Sequence, residues 1–311
     1  MSVVDDRWTK LLRELGYRPG AVLGSGMEGA VVELGGDLVA KIWYRRTAAE
    51  LETLKSFYDA VSQSHPSLET PAVLQVLQLQ GEYATVEKFL SGNPLWRSID
   101  GVSPTLGDAQ IQCVTDVLAS LAAVEVTSGM GILPILEGEA PFDSKHLPFE
   151  RSLAGLVNRR VEQFRGPLAA ALPEVDDVTA AVINGLTDLE PARACLVHGD
   201  LIPGNILVDA DSNPVSVLDF GFMSTIGDPA FDAAITASIH DMYGPRSGAT
   251  EAVLDSAMRE RFGYDAQRLA LYRAAYALTT SNCFSSSGKD GHFAWCVRIL
   301  QRPDVRDALA V

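Results

Sequence analysis

The sequence is short of positive charge. Lysine and arginine number 25 against 40 aspartates and glutamates, a formal net charge of −15. A surface weighted this way repels phosphate backbones and anionic membrane faces, so neither nucleic acid nor membrane is an expected partner. It would draw in cationic ligands, although solubility alone is sufficient reason for an acidic surface. Long apolar runs are also missing; none approaches the ~20 residues of a membrane span. The opening MSVVDDRWTKLL has no basic segment followed by an apolar one, so no signal peptide is read. Cysteine is scarce. Cys113, Cys195, Cys283 and Cys296 are scattered, with neither CxxC nor metal-ligand spacing. That excludes a disulfide framework and a zinc ribbon and fits a reducing cytoplasm. His65, His146, His240 and His292 do not cluster, and there is no internal repeat or low-complexity segment.

What is present is enough chain for a sizeable core, most naturally in two lobes. Asp6 to Leu15 reads as a short amphipathic helix, and Gly20 to Leu34 as two strands around a glycine-rich turn. Asp37 to Trp43 is a strand rich in Val, Ile and Leu. Thr47-Ala48-Ala49-Glu50 is a capping-box pattern, followed at helical spacing by Leu51, Leu54 and Phe57. Val73–Leu79 and Glu82–Phe89 read as two more strands, turning at Gly81. The composition then shifts at Ser91-Gly92-Asn93-Pro94. Helices are expected over Asp108–Val124, Phe149–Phe164 and Val178–Asp188, then two short strands, Ile206–Val208 and Val215–Leu218, then helix from Phe231 on. The expected organisation is a strand-rich N-lobe over residues 1–91 and a larger helical C-lobe over 92–311.

Four stretches carry chemistry. Gly24-Ser25-Gly26-Met27-Glu28-Gly29-Ala30-Val31 fits G-x-G-x-x-G-x-V. The same spacing serves dinucleotide folds, where the turn leads into a helix. Here a strand follows, which favours a hairpin folded over nucleotide phosphates, or else a glycine hairpin with no ligand. Val39-Ala40-Lys41-Ile42 puts one lysine in an apolar strand. An inward lysine is costly unless paired; an edge or outward position is the alternative. In an ATP site Lys41 would bind the α- and β-phosphates, held by a helix carboxylate. Glu50 is preferred over Glu52 because it lies beside the buried stripe; alternatively Glu50 serves the helix cap. His198-Gly199-Asp200-Leu201-Ile202-Pro203-Gly204-Asn205 sets an acid five residues before an amide. Asp219-Phe220-Gly221 ends the next apolar run, fourteen residues beyond Asn205. The intervening strand pair would bring Asn205 and Asp219 to one end of a hairpin, an oxygen pair suited to Mg²⁺. Asp200 would lie close by, placed to orient a hydroxyl and accept its proton. Taken alone, an acid five residues before an amide is also compatible with an ordinary turn.

In this order the four stretches resemble the protein-kinase-like superfamily. His-Gly-Asp in place of His-Arg-Asp, with Gly227-Asp228-Pro229-Ala230-Phe231-Asp232 downstream, resembles its aminoglycoside phosphotransferase and choline-kinase-like branch. No Ala-Pro-Glu motif closes an activation segment, and Ile202 stands where Ser/Thr protein kinases carry lysine. Both departures argue against a protein substrate. Many members of that branch carry Asp-Trp where this chain has Asp219-Phe220.

The resemblance implies a bilobal α+β fold with a small antiparallel-sheet N-lobe. It implies that Gly24, Ser25, Gly26, Gly29 and Val31 form the phosphate cover and that Lys41, held by Glu50, grips the phosphates. The Glu87 C=O and Phe89 N–H would meet the adenine edge. Asp200 would be the catalytic base, with Asn205 and Asp219 on Mg²⁺. His198 is read as structural, and Asp228 and Asp232 as a helix cap and a loop anchor. The expected activity is transfer of the γ-phosphoryl of ATP, with GTP the alternative donor, to a hydroxyl of a small and plausibly cationic molecule. An antibiotic acceptor, a metabolic acceptor and a nucleotide-binding pseudokinase are the three readings, the last disfavoured by a full set of site residues. A monomer or weak dimer is expected.

Overall fold

A computed structural model describes residues 6–26, 28–98, 106–142 and 146–310. Met27 of the glycine turn lies outside the described residues. Helix α1 (Asp6–Glu14) buries Trp8 and Leu12 against a five-stranded antiparallel sheet. That sheet holds β1 (Val22–Ser25), β2 (Gly29–Glu33), β3 (Leu38–Trp43), β4 (Val73–Leu79) and β5 (Glu82–Lys88), in the spatial order β1-β2-β3-β5-β4. Helix α2 (Ala48–Gln63) crosses between β3 and β4. Its capping box forms as the sequence predicts, with Thr47 and Glu50 exchanging bonds. Its buried stripe is Leu51, Leu54, Phe57, Tyr58 and Val61. These side chains join the core of the helical region, so α2 couples the sheet to the rest of the molecule.

Beyond β5 the chain is mostly helical. A short strand β6 (Asn93–Pro94) leads to α3 (Asp108–Ala123), α4 (Phe149–Ala171) and α5 (Val175–Asp188). Helix α4 runs past the expected end at Phe164. Phe164 itself is non-helical, and the chain recovers helix beyond it. Pro167 cannot donate to the carbonyl four residues back, which is a reason for a break rather than a stop. The helices α6 (Pro229–Ile239), α7 (Ser247–Phe262), α8 (Ala266–Thr280), α9 (Gly291–Leu300) and α10 (Pro303–Leu309) complete this region. Among the described residues no helix is long and apolar enough to cross a membrane, and the four cysteines are free.

Four short strands frame the loops between α5 and α6: β7 (Cys195–Val197), β8 (Ile206–Val208), β9 (Pro214–Val217) and β10 (Thr225–Gly227). β8 pairs with β9 and with β6, while β7 pairs with β10. Buried ion pairs tie the helices beneath them. Asp228 caps α6 by accepting the Ala230 N–H at 2.8 Å. It also pairs with Arg268 and accepts from the Tyr272 hydroxyl, and Glu150 pairs with the same Arg268 at 3.3 Å. This links α4, α6 and α8 by charges that would be costly to bury alone.

Candidate active site

The loop from His198 to Asn205 connects β7 to β8, and Asp219 follows β9. Pairing of Ile206 with Val217 puts Asn205 and Asp219 at one end of the β8–β9 hairpin, and the Leu218 N–H donates to the Asn205 carbonyl at 2.8 Å. The amide of Asn205 is oriented by its own loop: Nδ2 donates to the Asp200 carbonyl at 2.8 Å. Its Oδ1 has no partner among the described residues. Asp219 has φ +54°, the left-handed region. Few side chains other than Asn and Asp enter it readily.

His198 is fully buried and joins the two loops. Its Nδ1 accepts the Asp200 N–H at 3.3 Å, which leaves Nε2 to donate to the Leu218 carbonyl at 2.7 Å. The ring also packs on Phe220 at 4.4 Å. Both nitrogens are committed, so His198 is structural. Asp232 on α6 accepts the N–H groups of His198 and Gly199, each at 2.8 Å. Ser224 accepts the Gly221 N–H at 2.8 Å and donates to the His198 carbonyl at 2.5 Å. The loop is therefore held from both sides. Gly199 has φ +82°, and a Cβ there would lie 2.6 Å from Met223 and the Phe222 carbonyl. The glycine of His-Gly-Asp is a packing requirement of this loop.

Facing these loops across the cleft, Lys41 of β3 donates to Asp219 Oδ1 at 2.7 Å. Its Nζ lies 4.1 Å from the Trp43 ring centre and 3.8 Å from Glu28. Burial works against the ammonium, but Asp219, Glu87 and Glu28 outweigh it and hold Lys41 above its ordinary value. Asp219 is shifted the other way. Burial would raise it, and the Lys41 charge and hydrogen bond bring it below the ordinary aspartate value. For Asp200 burial dominates, aided by Asp219, Glu28 and Asp232 and opposed by His198; its pKa is raised. Asp200 is the more proton-avid of the two acids, which suits a group that accepts a proton.

The glycine turn closes with the Gly26 N–H donating to the Gly29 carbonyl at 2.9 Å. Gly29 is required by close packing, since a Cβ would meet the Ile42 carbonyl at 2.2 Å. Gly24 and Gly26 face open space. Ser25 Oγ lies 3.3 Å from the Tyr44 hydroxyl, and Val31 pairs with Lys41 across β2 and β3.

Two expectations need correction. Glu50 does not hold Lys41. Its carboxylate accepts from the Thr47 N–H and hydroxyl, both at 2.8 Å, and it is solvent-exposed. The cap and the lysine compete for one carboxylate, and the local cap wins. The Phe89 N–H is not available to a base edge, because it donates to the Asp37 carbonyl at 2.8 Å and so continues the β3–β5 ladder. Conversely, Glu28 and the side chain of Glu87 enter the Lys41 environment unforeseen. Thr85 and Glu87 are polar at alternate positions of a strand with buried neighbours; that pattern marks them as one face of β5.

Comparison with known proteins bears on the fold and the family. The chain resembles the GDP complex of wild-type aminoglycoside 2'-phosphotransferase-IIIa, with TM-score 0.60 and 14% identity over 98% of this chain and 97% of that one. A gentamicin complex of APH(2")-IIa gives 0.61 and 15% over 97% of each chain. A putative aminoglycoside phosphotransferase from Ralstonia eutropha gives 0.63 and 14% over 98% of each. No curated protein matches the chain. At these identities the structures establish the protein-kinase-like fold. A family model, the phosphotransferase enzyme family APH, matches residues 20–272. With most of its length so matched, the chain belongs to the APH phosphotransferase enzyme family.

Proposed function

We propose that the chain transfers the γ-phosphoryl group of ATP to a hydroxyl of a small molecule, an antibiotic such as an aminoglycoside. The observation that carries this is one cleft in which Lys41 meets Asp219 while Asn205 and Asp200 stand on the adjoining loop. In the proposed arrangement residues 1–91 bind nucleotide and 92–311 supply the catalytic loops and the acceptor site. The glycine turn covers the phosphates, and Lys41 grips them. Asp200 orients the acceptor hydroxyl and takes its proton as the new O–P bond forms and the bond to the bridging oxygen of ADP breaks. Such transition states are loose, so positioning and charge neutralisation supply most of the rate.

Asn205 Oδ1 and the Asp219 carboxylate form an oxygen pair suited to Mg²⁺, which commonly takes one or two protein ligands together with phosphate oxygens and water. Bound there, the ion would neutralise charge on the phosphates. Neighbouring structures hold GDP, ADP or ATP, which supports a purine nucleotide and keeps GTP as the alternative donor. Kanamycin and gentamicin in other neighbours support an aminoglycoside-like acceptor. The net charge of −15 and the acids around Asp200 favour a cationic one. The proposed setting is the cytoplasm, as a monomer or weak dimer. The test is ADP release across aminoglycosides, peptide antibiotics, macrolides and common hydroxyl metabolites. Turnover of a primary metabolite alone would overturn the antibiotic reading.

A further inference from the structure

The acids of α2 leave Lys41 without a helix-borne counter-charge. Glu50, Glu52 and Asp59 are all solvent-exposed; Glu50 is committed to the cap, and Asp59 to Lys55 at 2.6 Å. The helix face turned inward carries only Leu51, Leu54, Phe57, Tyr58 and Val61. β5 offers a carboxylate instead. Thr85 is the register partner of Lys41, and Glu87, two residues on, shares its face of the sheet. Diagonal cross-strand neighbours of this kind lie within reach of long side chains.

Glu87 is 8% exposed, an expensive place for an acid without a purpose. Its orientation is set by a directional chain. The Trp43 indole N–H donates to Thr85 Oγ at 3.0 Å, and the single hydroxyl proton of Thr85 then goes to Glu87 Oε1 at 2.5 Å. The same Trp43 ring lies against the Lys41 ammonium. Glu87 Oε2 accepts no hydrogen bond from the described residues. We propose that Glu87, aimed by Thr85 and Trp43, is the residue that positions the Lys41 ammonium in place of a helix glutamate. Asp219 cannot be that fixed partner if it also holds metal, and Glu28, 3.8 Å from Lys41, is half-exposed on the glycine turn and pairs more closely with Arg46, at 2.8 Å. Burial holds the Glu87 carboxyl above its ordinary value, and the Lys41 charge and the Thr85 hydroxyl offset that only in part.

This inference rests on the reading that Lys41 binds nucleotide phosphate, and its test separates the two. Calorimetric titrations of the full chain would use adenosine and the β,γ-imido analogue of ATP. Glu87→Gln is near-isosteric, and Thr85→Val leaves the acid in place but unaimed. Both are expected to weaken the triphosphate about tenfold and leave adenosine unchanged. In a Lys41→Ala background Glu87→Gln should add almost nothing, because the acid acts through that lysine. The inference is overturned if Lys41→Ala weakens the triphosphate and Glu87→Gln does not. It is equally overturned if Glu87→Gln weakens adenosine as much as the triphosphate, or adds its full effect to Lys41→Ala. If Lys41→Ala itself leaves the triphosphate unchanged, the phosphate-binding reading fails first and takes this one with it.

Discussion

Lys41 and Asp219, 178 residues apart in the chain, meet at 2.7 Å and join the sheet to the loop that follows β9. The contact assigns different jobs to two neighbouring acids. Asp219 is held charged by the lysine, while Asp200, buried without a lysine partner, keeps a higher proton affinity. Lys41→Ala should therefore act on the ATP step. Steady-state kinetics should show a raised KM for ATP and a lower kcat, with the acceptor KM little changed. Unchanged values for ATP would remove Lys41 from the site.

Asp200→Ala should abolish transfer, with a loss of at least ~10²-fold, the usual range for a general base. Nucleotide binding, measured by calorimetry, should be retained because in the proposed arrangement Lys41 and the glycine turn, not Asp200, hold the phosphates. Activity within a few-fold of the parent would show that some other group takes the hydroxyl proton.

Gly199→Ala should destabilise the protein. The residue sits at φ +82° with Met223 and the Phe222 carbonyl 2.6 Å from any Cβ. Positive φ alone costs on the order of 1–3 kcal/mol, and the clash adds to it. Urea denaturation should show a lower midpoint at constant slope. An arginine there, the residue of the related His-Arg-Asp loops, should be worse. A midpoint equal to the parent's would mean that the loop can be rebuilt without glycine.

His240 gives a pH dependence with a definite sign. It is buried, neither ring nitrogen has a partner among the described residues, and desolvation lowers its pKa from 6.5 to about 4. Between those values the unfolded chain takes a proton that the folded chain refuses, so stability falls as pH falls from 6.5 towards 4. The full loss is on the order of 3 kcal/mol. His240→Gln removes this titration, so its unfolding free energy should fall less than the parent's between pH 7 and pH 5. Parallel pH profiles would show that His240 contributes nothing to acid sensitivity.

The arrangement of the loops from His198 to Asp219 was the most legible part of the sequence, because their residues are close in the chain. His198, Asp200 and Asn205 occupy eight consecutive positions, and a single hairpin carries Asn205 to Asp219. The capping box at Thr47 was legible for the same reason. The environment of Lys41 was not. It depends on the register of β3 against β5, where Lys41 pairs with Thr85 across forty-three intervening residues. A one-residue change of register would have turned Glu87 to the other face. Local pattern shows that a strand exists but leaves its partner open, so Glu50, near in sequence, stood in for Glu87, near in space.

The left-handed backbone at Asp219 restricts the chemical alphabet of the site. Glutamate has the same charge and one more methylene, and elsewhere it is the conservative exchange. At φ +54° it is not, since the longer side chain lacks the short local bonds by which aspartate and asparagine tolerate that conformation. Asparagine would fit the backbone but lose the charge; glutamate would keep the charge but strain the backbone. A saturation library at position 219 should therefore return aspartate alone.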